Sequence, residues 1–250
     1  YDLDGARKLR DSLNSFTGGK IIVNVNAPHK CPVAPLEISF MLYEFLKAKG
    51  LWDKTELTYT YPIGRLHALE PVAHWAKPEM DKVGIKYETF FNTKEVDPAA
   101  KTISSEEGVT LPYDLLITIP PHNGAEIITE SNLGKGGWVP TNPKTLLRDG
   151  STNVFVVGDT TNIPISKAGS TAHFEADTII DNLTSLLQEG RWARDYDGKV
   201  FCFVETGLSA GTYVWFNYTT PPNPGPPSQM IHWFKLAYNR MYWLSARGLL

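Results

Sequence analysis

Two cysteines, Cys31 and Cys202, are the most reactive side chains of this 250-residue sequence. Two are too few for a disulfide framework or a structural zinc site, but they are the number that a redox pair needs. They lie 171 residues apart (202 − 31), too far for a metal-binding motif, so only the fold could bring them together. Cys31 lies in the proline-bounded turn APHKCPVAP (27–35), where His29 and Lys30 could stabilise a thiolate. The alternative is that both are free cysteines that fill space in a core.

A second candidate site lies in the segment VFVVGDTTNIPISKAGSTAHFEA, residues 154–176. The apolar run 153–159 predicts a buried strand that delivers Gly158 and Asp159 to the carboxyl edge of a sheet, where such folds bind ligands. The glycine lets a ligand approach the backbone, and the carboxylate can accept hydrogen bonds from sugar-type hydroxyls. A lysine and three small residues then open a helix: Lys167, Ala168, Gly169 and Ser170. The free N–H groups of that helix favour an electron-rich ligand edge, although an ordinary strand–turn–helix junction is the alternative.

The elements that position these residues alternate between strand and helix. The periodicity predicts a helix ended by the glycines at 18–19, then strand 20–28, helix 35–50, strand 56–62, helix 71–82 and strand 84–91. This order is typical of a doubly wound parallel sheet in an α/β protein. The later segments predict two short strands (94–96 and 102–104), a buried strand (113–121), a long helix with Ala172, Ala176, Ile179, Ile180, Leu183 and Leu187 on one side, a hairpin (199–205 and 212–217) and a C-terminal amphipathic segment.

The turn after the first strand lacks the glycines of a nicotinamide site. Such a site opens with a strand, G-x-G-x-x-G and a helix, because glycines let the turn wrap around the pyrophosphate. Here the strand 21–25 and the helix from Pro35 are joined by a segment with no glycine. We therefore expect that tight nicotinamide binding is lost.

Together these segments resemble the pyridine-nucleotide-disulfide oxidoreductase superfamily. Segment 154–176 resembles its second FAD motif, a GD element followed by P-x-x-K-x-G and a helix, and the resemblance extends to YDLLITIPP (113–121) and GWVPTNPKTL (137–146). The pattern CP-x-AP-x-E that begins at Cys31 is similar to that of sulfide:quinone oxidoreductases and flavocytochrome c sulfide dehydrogenases. The resemblance covers nearly the whole chain.

The resemblance implies a flavoprotein fold with two Rossmann-like dinucleotide-binding domains. Residues 18–112 would form a degenerate nicotinamide-binding-like domain, 1–17 and 113–192 a partial FAD-binding domain, and 193–250 a C-terminal hairpin and amphipathic helix. It also implies that Asp159 binds the ribityl chain of FAD and that Lys167, with residues 168–170, lies near the flavin ring. By the same resemblance Cys31 and Cys202 take up sulfide or a related thiol as a persulfide, and two electrons pass to flavin and on to a quinone.

The first FAD motif of the superfamily, an N-terminal strand with G-x-G-x-x-G, does not occur in these residues. The sequence starts at Tyr1 without a leader, so we expect an N-terminally truncated version of the fold. We also expect this chain alone to carry little FAD and to show little activity, whatever its parent binds.

The C-terminal segment predicts contact with a membrane surface. One face carries Met230, Trp233, Phe234, Ala237, Tyr238 and Met241, and the other side carries Lys235, Asn239 and Arg240. Aromatic residues flanked by basic ones suit a helix in a membrane interface, and a lipid-soluble quinone requires that contact. The alternative is a helix packed on its own domain or on a partner subunit. We expect a peripheral membrane protein, on an unspecified side of the membrane, in an otherwise cytoplasmic location. Whether the chain also forms a homo-oligomer stays open.

Charge and composition exclude other classes. A net charge of −3 gives no reason to expect a nucleic-acid partner, which would favour a basic face. No run of 18 apolar residues occurs, so no membrane-spanning helix is expected. Two other functions stay open: a type II NADH:quinone oxidoreductase-like enzyme, which the glycine-free turn disfavours, and a non-catalytic fragment or partner-binding domain.

Overall fold

A four-stranded parallel sheet is the central element of the computed structural model, which describes residues 2–249. The helices are α1 (Leu3–Ser15), α2 (Ala34–Ala48), α3 (Glu70–Val83), α4 (Glu126–Glu130), α5 (Gly169–Glu189) and α6 (Gln229–Ala246). The strands are β1 (Gly19–Val25), β2 (Thr55–Tyr61), β3 (Lys86–Thr89), β4 (Thr93–Asp97), β5 (Thr102–Ser105), β6 (Thr110–Pro112), β7 (Leu115–Ile119), β8 (Val200–Glu205) and β9 (Gly211–Phe216). The parallel sheet has the order β3-β2-β1-β7, so the predicted alternation of strand and helix is confirmed.

The central position of β1 follows from its sequence. Residues 21–25 are all buried and mostly β-branched, as expected for a strand covered on both faces. Val23 lies opposite Tyr59 on one neighbouring strand and opposite Ile117 on the other. Because the chain leaves β1 towards β2 and later returns to its other side as β7, the carboxyl end of β1 is a topological switch point.

The two faces of the sheet are covered differently. Helices α2 and α3 cover one face, where Phe40 is buried and its ring packs edge-on against Trp75 at 6.0 Å between centroids. Pro35 lies in the first turn of α2, where a missing N–H leaves no helical hydrogen bond unmade. On the other face Ile22 packs against Ile103 of the antiparallel sheet β4-β5-β6, which connects β3 to β7.

Strand β7 belongs to the first sheet. The sequence assigned residues from 113 onwards to the FAD-binding domain, but β7 pairs in parallel with β1, with Ile21 opposite Leu115. Helix α1, which was assigned to the same domain, also contacts this unit, because Leu13 and Phe16 pack against its core. The domain boundaries stay a prediction. In the structure, α1 and β7 pack with the parallel sheet.

The predicted strand 153–159 is wrong. Within it, only Phe155 makes a β-bridge, to Leu147, and Gly158–Thr160 forms a single 3₁₀ turn. A parallel strand needs a neighbour for its backbone hydrogen bonds, and residues 2–249 place no strand beside this segment. Val154 and Val157, which a buried strand would cover, are exposed.

Helix α5 forms as predicted, but its buried side is polar. The buried residues are Thr171, Glu175, Thr178 and Asn182. Asn182 makes the role of this side clear, since its amide oxygen accepts hydrogen bonds from the N–H groups of Ala193 and Arg194 at 3.0 Å each. The leucines and isoleucines of the predicted apolar side are largely exposed, because nothing in the described part of the chain packs over them: Ile180, Leu183 and Leu187.

The hairpin β8–β9 and helix α6 complete the fold. Cys202 lies opposite Val214 in the antiparallel register of the hairpin. Ser228 caps α6 by accepting a hydrogen bond from the N–H of Ile231. In the described part of the chain, every helix is too short or too polar to cross a lipid bilayer.

Candidate functional site

The two cysteines pack against the core of the parallel-sheet unit. Cys31 follows β1 and Cys202 lies on β8, and both are half-buried, free and packed against the same core. The pKa of the Cys202 thiol is raised to about 12, mainly by burial and secondly by the charge of Cys31. The hydroxyl groups of Ser166 and Ser170 act in the opposite direction. The pairing of the two thiols stays a prediction.

The turn that carries Cys31 is held from two sides. The N–H of Lys30 donates to Nδ1 of His122 at 2.9 Å, and the N–H of His122 donates to the carbonyl of Pro28 at 2.7 Å. These bonds tie the turn after β1 to the turn after β7. The cysteine is therefore fixed in the crevice where open α/β sheets bind their ligands.

His29 and Lys30 are not the cations that the sequence placed beside Cys31. His29 Nε2 lies 2.8 Å from the hydroxyl of Tyr61, and burial lowers the pKa of His29, so the ring is neutral near pH 7. The ammonium of Lys30 pairs with Asp159 at 3.0 Å. Burial lowers the pKa of Lys235 on α6 to about 8, and the charge of Cys31 opposes this.

Sequence reasoning missed Lys235 because its helix was read as an interface helix with lysine on the water side. In the structure the Lys235 side chain points inwards and forms ion pairs with Glu37 on α2 and, at 3.9 Å, with Glu205 on β8. His232, one turn earlier on α6, places Nδ1 2.9 Å from Glu205. The sequence offered one signal, because Glu37 is the final residue of the CP-x-AP-x-E pattern that begins at Cys31.

The GD motif lies beside the cysteine turn. Gly158 has φ +74°, and its N–H donates to the buried carboxylate of Glu175 at 2.5 Å. Burial raises the pKa of Glu175, while the hydrogen bond from Gly158 opposes that shift. The Lys30–Asp159 pair and a hydrogen bond from the N–H of Lys167 to the carbonyl of Lys30, 3.0 Å long, join the motif to the turn. The structure thus brings the two predicted sites together.

Lys167 is held close to an aromatic ring. Its ammonium donates to the carbonyl of Thr161 at 2.7 Å and lies 5.3 Å from the centroid of the Trp138 ring. Burial lowers the pKa of Lys167, and Glu175 acts against this. A lysine fixed in this way presents positive charge at a defined place.

Helix α5 begins without a side-chain cap. Ala168 is extended at the N-cap position and its side chain accepts no N–H group. Ser170 donates its hydroxyl instead to the carbonyl of Phe201, next to Cys202. The N–H groups at residues 169 and 170 are therefore not satisfied by a capping side chain and form a positive helix end.

A cleft of about 440 Å³ lies between the cysteine turn and the motif. Its basic lining residues are His29, Lys30, His122, Lys135 and Lys167, and Trp138 and three prolines contribute apolar surface: Pro28, Pro140 and Pro164. None of the described residues that line it is acidic. Such a cleft suits a flat ligand with an electron-rich or anionic edge. Residues 2–249 contain no group of three or more His, Cys, Asp or Glu side chains that could hold a metal ion.

Comparison with known proteins gives a consistent result. No protein-family model matches the chain. The mitochondrial sulfide:quinone oxidoreductase of Mus musculus is 24% identical over 230 residues, which are 89% of this chain and 51% of the relative. That of Schizosaccharomyces pombe is 30% identical over 214 residues, 82% of this chain and 47% of the relative. The chain thus spans about half the length of the curated relatives that it matches.

Solved structures agree on the fold. The sulfide:quinone oxidoreductase of Aquifex aeolicus superposes with a TM-score of 0.81 at 17% identity, covering 98% of this chain and 62% of that one. A chain of the mitochondrial ATP synthase of Tetrahymena thermophila has a TM-score of 0.70 at 22% identity, covering 84% and 53%. A ferredoxin reductase of Rhodopseudomonas palustris has a TM-score of 0.60 at 17% identity, covering 87% and 52%. The chain is therefore sulfide:quinone oxidoreductase-like in sequence, with the Rossmann-like FAD/NAD-binding fold of flavoproteins.

Proposed function

We propose that the protein is an FAD-dependent oxidoreductase of the sulfide:quinone oxidoreductase type. Its Cys31 and Cys202 take two electrons from sulfide or a related thiol, and the electrons pass to flavin and on to a quinone. The observation that supports this proposal is the ion pair between Asp159 of the GD motif and Lys30, the neighbour of Cys31 on the turn after β1. The names of the curated relatives support the same reaction class. The activity of the whole enzyme is part of the proposal, since the chain spans only half of those relatives.

The cysteine chemistry needs an oxidised and a reduced state of the pair. Hydrosulfide attacks one sulfur of a Cys31–Cys202 disulfide, which forms a new S–S bond as a persulfide and releases the other cysteine as a thiolate.

The residues present fit part of a flavin site. Asp159 is half-exposed beside the cleft and could accept hydrogen bonds from the ribityl hydroxyls. The uncapped start of α5, at residues 168–170, and the ammonium of Lys167 would face the electron-rich edge of the ring. FAD, when bound, supplies the two-electron acceptor that the thiols lack. The GD element and the basic cleft would hold its flavin half, and the other half belongs to a motif outside the described site.

The direct test of the proposed function is spectroscopic. The intact parent protein, saturated with FAD and kept free of oxygen, is mixed with sulfide and then with a water-soluble quinone. We expect sulfide to bleach the flavin absorbance and the quinone to restore it. A protein that holds FAD but is not bleached by sulfide would contradict the proposal.

NADH is expected not to reduce the FAD-loaded protein at a useful rate. The turn after β1 offers no glycine to a pyrophosphate, and Pro35 removes one N–H from the first turn of α2. We expect bleaching by NADH to be at least about 100-fold slower than bleaching by sulfide, because the loss of two or more charged hydrogen bonds costs about 3 kcal/mol or more. Stopped-flow mixing under the same conditions measures both rates. Rapid bleaching by NADH would favour the NADH:quinone oxidoreductase alternative.

The outer face of α6 is proposed as the contact with a membrane, which makes this a peripheral membrane protein. Trp233 and Phe234 are 60% and 55% exposed, and Met230, Tyr238 and Met241 extend the same apolar surface. We expect the double variant Trp233→Ala/Phe234→Ala to bind phospholipid vesicles at least roughly tenfold more weakly, because each ring buries apolar area worth about 1.5–3 kcal/mol. Vesicle co-sedimentation is the measurement. The matched control is Leu183→Ala/Leu187→Ala on α5, and equal losses in both variants would argue against a specific role for α6.

One observation favours a second, non-catalytic function. The exposed apolar side chains of α5 form a surface that a partner protein could cover. A chain of similar fold occurs in the Tetrahymena ATP synthase, so this fold is found within a large assembly. On this alternative the protein would be a structural subunit, and saturation with FAD would give neither a flavin spectrum nor bleaching by sulfide.

A further inference from the structure

Glu175 is a buried carboxylate that the proposed chemistry does not use. It lies on α5 and is 1% exposed. Its Oε2 accepts a hydrogen bond of 2.5 Å from the backbone N–H of Gly158, the glycine of the GD motif. A buried carboxylate is costly unless it is hydrogen-bonded, so a side chain that only filled this space would be apolar. The bond to Gly158 is the contact that accounts for a polar group here.

Helix α5 has other attachments to the protein. Asn182, two turns after Glu175 on the same side, accepts hydrogen bonds from the N–H groups of residues 193 and 194. Phe174 and Ile179 pack against a separate apolar cluster. Both attachments are independent of Gly158. The bond between Glu175 and Gly158 therefore acts mainly on the GD turn, and less on the helix.

The backbone at Gly158 determines where Asp159 points. Gly158 has φ +74°, a left-handed conformation that glycine adopts without strain, and a Cβ there would lie 3.3 Å from the Cβ of Ala172. The bond to Glu175 fixes the orientation of the peptide group before Gly158. The carbonyl of Gly158 accepts hydrogen bonds from the N–H and Oγ1 of Thr161 at 3.2 and 3.1 Å. With both sides of Gly158 fixed, the side chain of Asp159 leaves the turn in one direction.

Lys167 holds the other end of the same turn. Its ammonium donates to the carbonyls of Thr161 at 2.7 Å and Ile163 at 3.3 Å. The turn is thus held by a carboxylate at its start and by an ammonium at its end, and both groups belong to the segment that begins α5. The Asp159 side chain is 51% exposed, and its ion pair with Lys30 is a surface contact that would hold it only weakly. The backbone of the turn therefore places Asp159.

We propose that Glu175 is a positioning residue for the flavin: by accepting the N–H of Gly158, it sets the turn from which Asp159 presents its carboxylate to the ribityl hydroxyls. This role rests on the proposed function, since the flavin is the ligand that Asp159 would bind there. Glu175 acts through Gly158 and Asp159, because its own carboxylate is buried. Its effect on cofactor binding should therefore largely disappear when the Asp159 carboxylate is removed. A residue that only supported the fold would not show this dependence.

The test is a fluorescence titration of FAD against variants of the intact parent protein. Glu175→Met keeps the volume but removes the acceptor, and we expect it to weaken FAD binding at least about tenfold, because the N–H of Gly158 loses its partner. Glu175→Gln removes the same negative charge but keeps an acceptor oxygen, so the affinity should stay within about threefold of the parent. The comparison of these two variants separates the hydrogen bond from the charge.

A double-variant cycle connects the effect to Asp159. In the Asp159→Ala background, Glu175→Met should weaken FAD binding by no more than about twofold further, since the carboxylate that the turn positions is gone. Thr178→Val is the matched control on the same buried side of α5. The Thr178 hydroxyl donates to the carbonyl of Phe174 within the helix, so its loss should leave FAD affinity within about twofold of the parent.

The proposal is overturned if Glu175→Met binds FAD like the parent, if Glu175→Gln loses as much as Glu175→Met, or if the effect is equal with and without Asp159. If Glu175→Met does not fold, Glu175→Asp decides, because it keeps the charge but shortens the reach by one methylene group. A loss of at least about tenfold then supports the proposal, and parent affinity overturns it. FAD binding in the expected pattern without bleaching by sulfide would contradict the proposed function alone. A parent that binds no FAD would overturn both.

Discussion

Replacement of Cys31 or Cys202 by serine is expected to abolish sulfide-dependent quinone reduction, with a loss of at least about 1000-fold in each single variant. A serine hydroxyl can form neither the disulfide nor the persulfide, and one remaining cysteine has no partner with which to hold the oxidised state. Cys31 lies on the turn after β1 and Cys202 on β8, and either replacement would remove one half of the proposed redox pair. The measurement is steady-state reduction of a soluble quinone by sulfide, with FAD saturating.

Flavin content is the control for this experiment. Both variants should bind FAD as the parent does, because neither thiol belongs to the GD motif or to the start of α5. The double variant Cys31→Ser/Cys202→Ser should be no worse than either single variant, as expected for residues that act as a unit. Two fully active single variants would contradict the proposed redox pair and would mean that the cysteines only fill space in the core.

Asp159→Ala is expected to weaken the binding of added FAD by about 10- to 100-fold. A hydrogen bond to a charged group contributes about 1.5–3 kcal/mol, and the half-exposed carboxylate of Asp159 is the acceptor proposed for the ribityl hydroxyls. The loss also frees Lys30, which then adds positive charge to the cleft and favours the anionic cofactor. The expected weakening is therefore the net of two opposed effects, and fluorescence titration of FAD measures it.

Asp149→Ala is the matched control, since Asp149 is an exposed acid of the same charge ten residues away in sequence. It should leave FAD affinity within about twofold of the parent. Comparable losses in both variants would mean that total charge, and not a bond from Asp159, governs the binding. If Asp159→Ala binds FAD as tightly as the parent, Asp159 is not part of the proposed flavin site.

The parallel sheet could be predicted from the sequence because its signals are local. The apolar run in β1 and the proline at the start of α2 each determine their own element, whatever lies elsewhere. The segment 153–159 has an equally strong apolar run, but a strand also requires a neighbour, and that requirement is not local. The apolar side of α5 was misplaced for the same reason, since periodicity identifies a stripe but not the element that covers it.

The candidate site was predictable in its residues but not in its contacts. Cys31 and Asp159 stand in recognisable patterns, whereas the Lys30–Asp159 pair that joins them spans 129 positions (159 − 30). Lys235 was misjudged because a lysine among aromatic residues resembles an interface residue in sequence. Only the packing of α6 on β8 and β9 shows that this ammonium meets Glu37 and faces inwards.

The buried polar side of α5 determines how accurately this helix is positioned on the rest of the protein. Apolar contacts tolerate a helix that slides or rotates by a fraction of a turn, since they depend on area and not on direction. The bonds from Glu175 to the N–H of Gly158 and from Asn182 to residues 193–194 are directional, and a shift of one residue along the helix would break all of them at once. These bonds therefore hold the helix in a single register and fix the position of its first N–H groups.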